Sequence, residues 1–232
     1  MNLLRHLPNA LTLCNLFFGV WAIMAIHQER VSLALILFIG ALIADALDGA
    51  LARRLGIDGP LGIQLDSLAD MVTFGALPAF MLYYIGSRYG NGSLPVDLIE
   101  VLAALSAASA GLRLGRFNID VRPKEYFHGL ATPAGGILVA SWLWAHHTHQ
   151  TFGLGVQEMP WLLIIVPVFM TVFYQVGIKL PGLKSPKRGL ITLFFLTALI
   201  VLGFFLHGAI TVFLGIILYV LLGIVNLGLR WY

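Results

Sequence analysis

"DALDGALARRLGIDGPLGIQLDSLAD", residues 45–70, sets Asp45, Asp48, Asp66 and Asp70, with Asp58 midway between the pairs, and the adjacent Arg53 and Arg54 between long apolar runs. The surrounding chain has 232 residues, 59% of them hydrophobic and 11% charged, and a mean hydropathy of +0.90. A soluble domain carries about 25% charged residues, so this is the composition of a polytopic membrane protein. Carboxylates are costly in a low-dielectric medium, and acidic residues inside transmembrane segments are functional by default.

Working outward, about 20 apolar residues in a helix cross a hydrocarbon core. Eight such segments are predicted, at roughly 8–26, 31–54, 61–86, 97–116, 131–149, 160–178, 190–206 and 208–228. Only "HG" at 207–208 separates the last two, so they read either as two spans or as a hairpin. The expected fold class is all-α, a polytopic helical bundle forming a single membrane domain over 1–232. The first apolar stretch has no convincing small-residue cleavage site and is expected to stay as a helix. The single cysteine, Cys14, excludes an intramolecular disulfide and a Cys-rich metal site.

The net charge of +3 and pI near 9.2 do not point to nucleic acid, because the basic residues are spread among the loops. With a cytoplasmic N-terminus, one side holds Arg5, Arg53, Arg54, Arg113, Arg116, Arg122, Lys124, Lys179, Lys184, Lys187, Arg188 and Arg230, and the other only Arg30 and Arg88. The positive side is expected to be cytoplasmic. That places the four aspartates at the cytoplasmic face.

Asp45 and Asp48 lie three apart, Asp66 and Asp70 four apart, so each pair shares one helix face. Between them "GIDGPLG" is a strong turn signal, which predicts two antiparallel neighbouring helices. At about 1.5 Å per residue, Asp45 and Asp70 lie roughly 15–16 Å below the turn, with Asp48 and Asp66 nearer to it. Converging carboxylates repel one another unless a strong positive charge joins them. Oxygen-only ligands suit hard divalent cations, Mg²⁺ or Mn²⁺, and four aspartates suffice for two ions of the kind that support in-line displacement at phosphorus. Gly49 and Ala52 let a bulky group approach the first helix, Arg53 offers a bidentate phosphate ligand, and Gly62 permits close packing. A structural polar network and a divalent-cation transporter are the competing readings; neither accounts for the small and basic residues at these positions.

Asp-x2-Asp-Gly-x2-Ala-Arg-x8-Gly-x3-Asp-x3-Asp is matched at every fixed position by Asp45, Asp48, Gly49, Ala52, Arg53, Gly62, Asp66 and Asp70. In this the chain resembles the CDP-alcohol phosphotransferases, integral membrane enzymes of phospholipid synthesis. The resemblance implies that Asp45, Asp48 and Asp66 ligate the metals and that Asp70 is both a ligand and the general base. It implies that Gly49, Ala52 and Arg53 contact the CDP moiety, and "PNALT" adds Asn9 and Thr12 beside the nucleotide. Many relatives carry a hydroxyl residue where this chain has Gly59, so no contact is expected there.

A second stretch, "LRLGRFNIDVRPKEYFHGLATPAGG" at 112–136, resembles the branch of that family that uses serine as the acceptor. Arg113, Leu114, Arg116, Phe117, Asn118, Phe127, Gly129, Leu130 and Pro133 match; Gly115 and Ala131 depart from the pattern, both to small residues. A serine carboxylate calls for a guanidinium, which Arg113 or Arg116 offers, and Asn118 suits the ammonium or hydroxyl. A choline acceptor would favour an aromatic cage instead. The competing reading of these arginines is a headgroup anchor at the helix end. The expected reaction is metal-dependent transfer of a phosphatidyl group from CDP-diacylglycerol to L-serine, with the catalytic core within about 1–180, in the inner membrane of a prokaryote. Another acceptor, glycerol 3-phosphate or an inositol, is the near alternative, and the resemblance further implies a homodimer. His146, His147 and His149 are expected in an outer interfacial loop, and "LKSPKRG" at 183–189 as a lipid-headgroup anchor.

Overall fold

Glycine and proline set the first helical boundaries. The computed structural model describes residues 6–56, 59–119, 127–151, 153–176, 179–180 and 215–217. Helix α1 (Leu7–His27) starts with Pro8 in its first turn, where a missing N–H costs nothing. Helix α2 (Val31–Leu55) stops at Gly56, whose φ of 62° is the left-handed conformation that closes a helix. Gly59 is extended, and Pro60 opens α3 (Pro60–Asp70). The expected turn between the aspartate helices is therefore present.

The predicted span 61–86 is continuous but not uniformly α-helical. After α3 the chain widens into a π-helical stretch, Met71–Ala76, then resumes as α4 (Leu77–Tyr89). Pro78 has no N–H to offer the carbonyl of Phe74, so the α-ladder is already broken there. Met71 fills the widened turn: a Cβ on Gly75 or on Gly111 would each come within 3.1 Å of its sulfur. Gly111 belongs to α5 (Val96–Ile119), so the slot between two glycines ties the π-turn to the next helix.

Two shorter helices complete the described bundle, α6 (Thr132–His147) and α7 (Leu162–Gln175). Helix α6 is the core helix, burying Leu138, Val139, Trp142 and Leu143 among others. Phe38 of α2 and Phe74 of the π-turn meet edge-on at 6.0 Å over Gly136 of α6. The all-α expectation is modified only by a two-residue antiparallel ladder, β1 (Phe127–His128) with β2 (Lys179–Leu180).

The outer surface is apolar. Phe17, Met24, Ile36, Ile43, Leu61 and Leu105 all stand exposed, which in water would be a large liability and in lipid is the required solution. Four helical stretches are long and apolar enough to cross a membrane: Leu7–His27, Val31–Leu55, Pro60–Tyr89 and Val96–Ile119. They coincide with the first four predicted spans. The molecule is an integral membrane helical bundle. Helices α6 and α7 correspond to the segments at 131–149 and 160–178 but have only 16 and 14 residues. The segments at 190–206 and 208–228 lie outside the described residues, apart from 215–217, where Ile216 is buried in the core.

Of the three histidines expected in a loop, only His149 lies in the turn beyond α6. Helix α6 runs through His147, and His146 is buried. The backbone N–H of Val156 donates to His146 Nε2 at 3.0 Å, and Nδ1 lies 2.9 Å from the Trp142 carbonyl. Only the neutral Nδ1–H tautomer satisfies both partners. His146 is a structural pin holding the 150s segment onto α6, and Trp142 reinforces it by donating to the Leu154 carbonyl at 3.0 Å.

Candidate functional site

Helix α2 ends at Gly56 and α3 begins at Pro60, and the aspartate faces of the two helices meet. Single oxygens of Asp45, Asp48 and Asp66 lie within 4.8 Å of one another. Asp70, one turn deeper than Asp66, stands against Asp45 at hydrogen-bonding range, and its Oδ1 is buried with no partner among the described residues. Two carboxyl groups this close, in apolar surroundings, call for a cation between them.

Helix α1 closes the site from the side. The Thr12 hydroxyl donates to Asp48 Oδ2 at 2.6 Å, in preference to the longer 3.1 Å approach to the Pro8 carbonyl of its own helix. Sequence reading placed Thr12 beside the nucleotide; its measured bond is to a carboxylate of the aspartate cluster. One turn deeper, Asn15 is fully buried, and neither of its side-chain polar atoms has a hydrogen-bond partner among the described residues. Its backbone carbonyl accepts the Thr73 hydroxyl at 3.2 Å, joining α1 to the π-turn behind Asp70. Sequence reading missed Asn15, although an amide inside "LTLCNLFFG" was a signal.

Above the carboxylates a cleft of about 180 Å³ opens between α1, α2 and α3. Asn9, Thr12, Asp48, Gly49, Ala52, Arg53, Gly62 and Asp66 line it, joined by Pro8, Gly59 and Ile63. The small residues are there for space. A Cβ on Gly49 would come within 3.2 Å of the Arg53 guanidinium, which folds back over that glycine, and one on Gly62 would come within 3.3 Å of Asn9 Oδ1. A diphosphate with an attached nucleoside is the kind of ligand such a cleft suits: backbone-lined and carrying one guanidinium beside a row of carboxylates.

The second group of expected residues arrives from α5. Asn118 donates to Ser67 Oγ at 2.8 Å, beside Asp66, so the end of α5 abuts the aspartate helix. Arg113 reaches Thr132 Oγ1 at 3.4 Å and lies within electrostatic range of Asp70. Arg116 does not share that environment. It is exposed and donates to Gln175 Oε1 of α7 at 2.6 Å, while the Gln175 amide donates to Ser109 Oγ and its carbonyl. Gln175 carries no motif signal, since its role exists only through the packing of α7 on α5.

The donor set fits divalent cations: all-oxygen, converging, and incompletely bonded without one. Comparisons with known proteins agree with this chemistry. The chain is 31% identical over 236 residues to the CDP-diacylglycerol–serine O-phosphatidyltransferase of Helicobacter pylori, covering 100% of this chain and 93% of that protein. It is 34% identical over 169 residues to the protein of the same name from Mycobacterium leprae, covering 70% of this chain and 53% of that one. It is also 31% identical over 138 residues to the archaetidylserine synthase of Methanothermobacter thermautotrophicus, covering 58% of this chain and 56% of that protein. The sequence model of the CDP-alcohol phosphatidyltransferases matches residues 5–173, which contain every cleft and aspartate residue described above. With its aspartates, cleft and matched length in agreement, the chain belongs to the CDP-alcohol phosphatidyltransferase family and is an enzyme of phospholipid synthesis.

Proposed function

We propose that this enzyme transfers the phosphatidyl group of CDP-diacylglycerol to L-serine, with Asp45, Asp48, Asp66 and Asp70 holding two divalent cations, Mg²⁺ or Mn²⁺. The observation that carries the reading is the convergence of three carboxylates within 4.8 Å at the base of the cleft that contains Arg53. The relatives named for serine transfer support the acceptor. When bound, the cations neutralise the diphosphate and polarise the phosphoryl oxygens.

The chain's own residues supply the remainder. Gly49 and Ala52 leave room for the CDP moiety and Arg53 binds its phosphates, with Asn9 and Thr12 at the opposite wall. Arg113, with Arg116 and Asn118 on the same helix end, orients serine. Asp70 takes the proton of the serine hydroxyl. The new bond forms between that oxygen and the lipid-side phosphorus, and the phosphorus–oxygen bond to CMP breaks. Asp70 suits the base role because its Oδ1 has no hydrogen-bond partner among the described residues and Arg113 lies within electrostatic range of it. The core that does this lies within about residues 1–180, and the protein works as a homodimer in the cell membrane with its site at the cytoplasmic face.

The test is an acceptor panel. Purified protein in detergent, given CDP-diacylglycerol and Mn²⁺ or Mg²⁺, should release CMP and form phosphatidylserine with serine, and not with glycerol 3-phosphate or inositol. A different lipid product would replace the serine assignment.

A further inference from the structure

Two further buried polar atoms have no bonding partner among the described residues: the Tyr174 hydroxyl and Arg113 Nε. They belong together. Each side chain lies within electrostatic range of the other, and Arg113 is also within range of Asp70. Arg113 therefore neighbours both the aspartate cluster and Tyr174.

The tyrosine is held firmly where it is. It is only 3% exposed, and its hydroxyl sits directly on Gly135 of α6, where any Cβ would collide with it. The segment leading into α6 is clamped on the end of α7. The Leu130 N–H donates to the Phe173 carbonyl at 2.8 Å, and Gly129, at φ 76°, is pressed against the Phe173, Tyr174 and Val176 carbonyls. A Cβ at 129 would come within 2.7 Å of the first of these, so only glycine allows that approach.

A buried hydroxyl without a partner pays its desolvation cost with no return, and phenylalanine would fill the same space more cheaply. The arrangement makes sense if a polar ligand completes it. Both orphaned atoms are donors, and one of them belongs to a guanidinium, which selects an anionic group with at least two acceptor oxygens. Resting on the serine reading above, we propose that Tyr174 is an acceptor-binding residue. Its hydroxyl and Arg113 together take the serine carboxylate, which leaves the serine hydroxyl on the Asp70 side.

The experiment uses the full chain in detergent micelles with Tyr174→Phe, which removes one oxygen and keeps the ring. Expected are a melting temperature equal to or above wild type and an apparent KM for serine raised roughly tenfold or more. The KM for CDP-diacylglycerol and kcat at saturating serine should stay near wild type. An unchanged serine KM would overturn the assignment, whatever the melting temperature, and make Tyr174 a packing residue. A fall in kcat alone would overturn it too. Should the wild type itself form no lipid from serine, the acceptor reading fails and this inference with it; should it use serine while Tyr174→Phe is silent, only the inference fails.

Discussion

Asp45, Asp48 and Asp66 can share their small volume only by sharing positive charge, and that fixes what happens when one is neutralised. Asp45→Asn, Asp48→Asn and Asp66→Asn should each lower CMP release by on the order of a hundredfold or more, while size-exclusion profiles stay those of folded protein. Near-normal turnover in one variant would remove that residue from the ligand set. Thr12 acts one bond further out, through its 2.6 Å contact with Asp48. Thr12→Val should raise the Mn²⁺ concentration for half-activation roughly tenfold and leave the rate at saturating metal close to normal. The two arginines separate in the same way. Arg113 is orphaned at Nε near Asp70, whereas Arg116 is exposed and already paired to Gln175. Arg113→Ala should therefore raise the serine KM about ten- to a hundredfold, Arg113→Lys should recover part of that, and Arg116→Ala should act weakly. Equal serine kinetics in all three variants would leave these arginines as headgroup anchors. The aspartates, Gly49 and Arg53 were legible in sequence because their spacing is itself the geometry of a single face on each of two helices. Tyr174 and Gln175 were not, because each acquires its neighbours from another helix.

At the level of elements, the turn between α2 and α3 was readable from "GIDGPLG" because glycine and proline carry their backbone preferences with them. The π-turn at Met71–Ala76 was not, since it depends on Pro78 and on Met71 finding a slot between Gly75 and Gly111. Hydropathy also could not separate the lipid-facing helices from α6, which is equally apolar but buried on nearly every side. The π-turn follows Asp70 directly and is braced on α1 by the Thr73 bond to the Asn15 carbonyl. π-Bulges recur at functional sites, and here the brace can be tested through Gly19. A Cβ there would collide with Thr73 Oγ1 and come within 3.2 Å of its Cα and Cβ. Gly19→Ala should cost about 1–3 kcal/mol by overpacking, seen as a lower melting temperature together with reduced turnover. Adding Thr73→Ala removes the worst contact and should restore part of both. If the double variant is no better than the sum of the singles, α1 and the π-turn are not coupled through this pair.

For the whole molecule the charge distribution and the fold make one joint statement about orientation. Arg30 and Arg88, the two basic residues left over from the positive side, come together at one end of the bundle. Arg88 lies 3.8 Å from Glu29, and Ser32 lies 3.0 Å from His147 at the same end. The exposed Glu29–Arg88 pair adds little stability, but it marks the end of α1 and α4 opposite to the aspartates. The other end holds Arg53, which lines the cleft, with Arg54, Arg113 and Arg116, and the positive-inside rule is the ground for the cytoplasmic site proposed above. A nucleotide-activated lipid would then be met from the compartment that contains CMP and serine. In a Cys14→Ser background, cysteines at the exposed Ser87 and Gln150 should react with a membrane-impermeant thiol reagent added to intact cells. A cysteine at Lys184, in the basic loop outside the described residues, should stay unlabelled until the membrane is opened. Labelling of Lys184→Cys in intact cells, with Ser87→Cys and Gln150→Cys protected, would invert the bundle and put the aspartate cleft on the outer face. Labelling of all three would instead show that the chain between Gln150 and Lys184, α7 included, does not carry Lys184 to the side opposite Gln150.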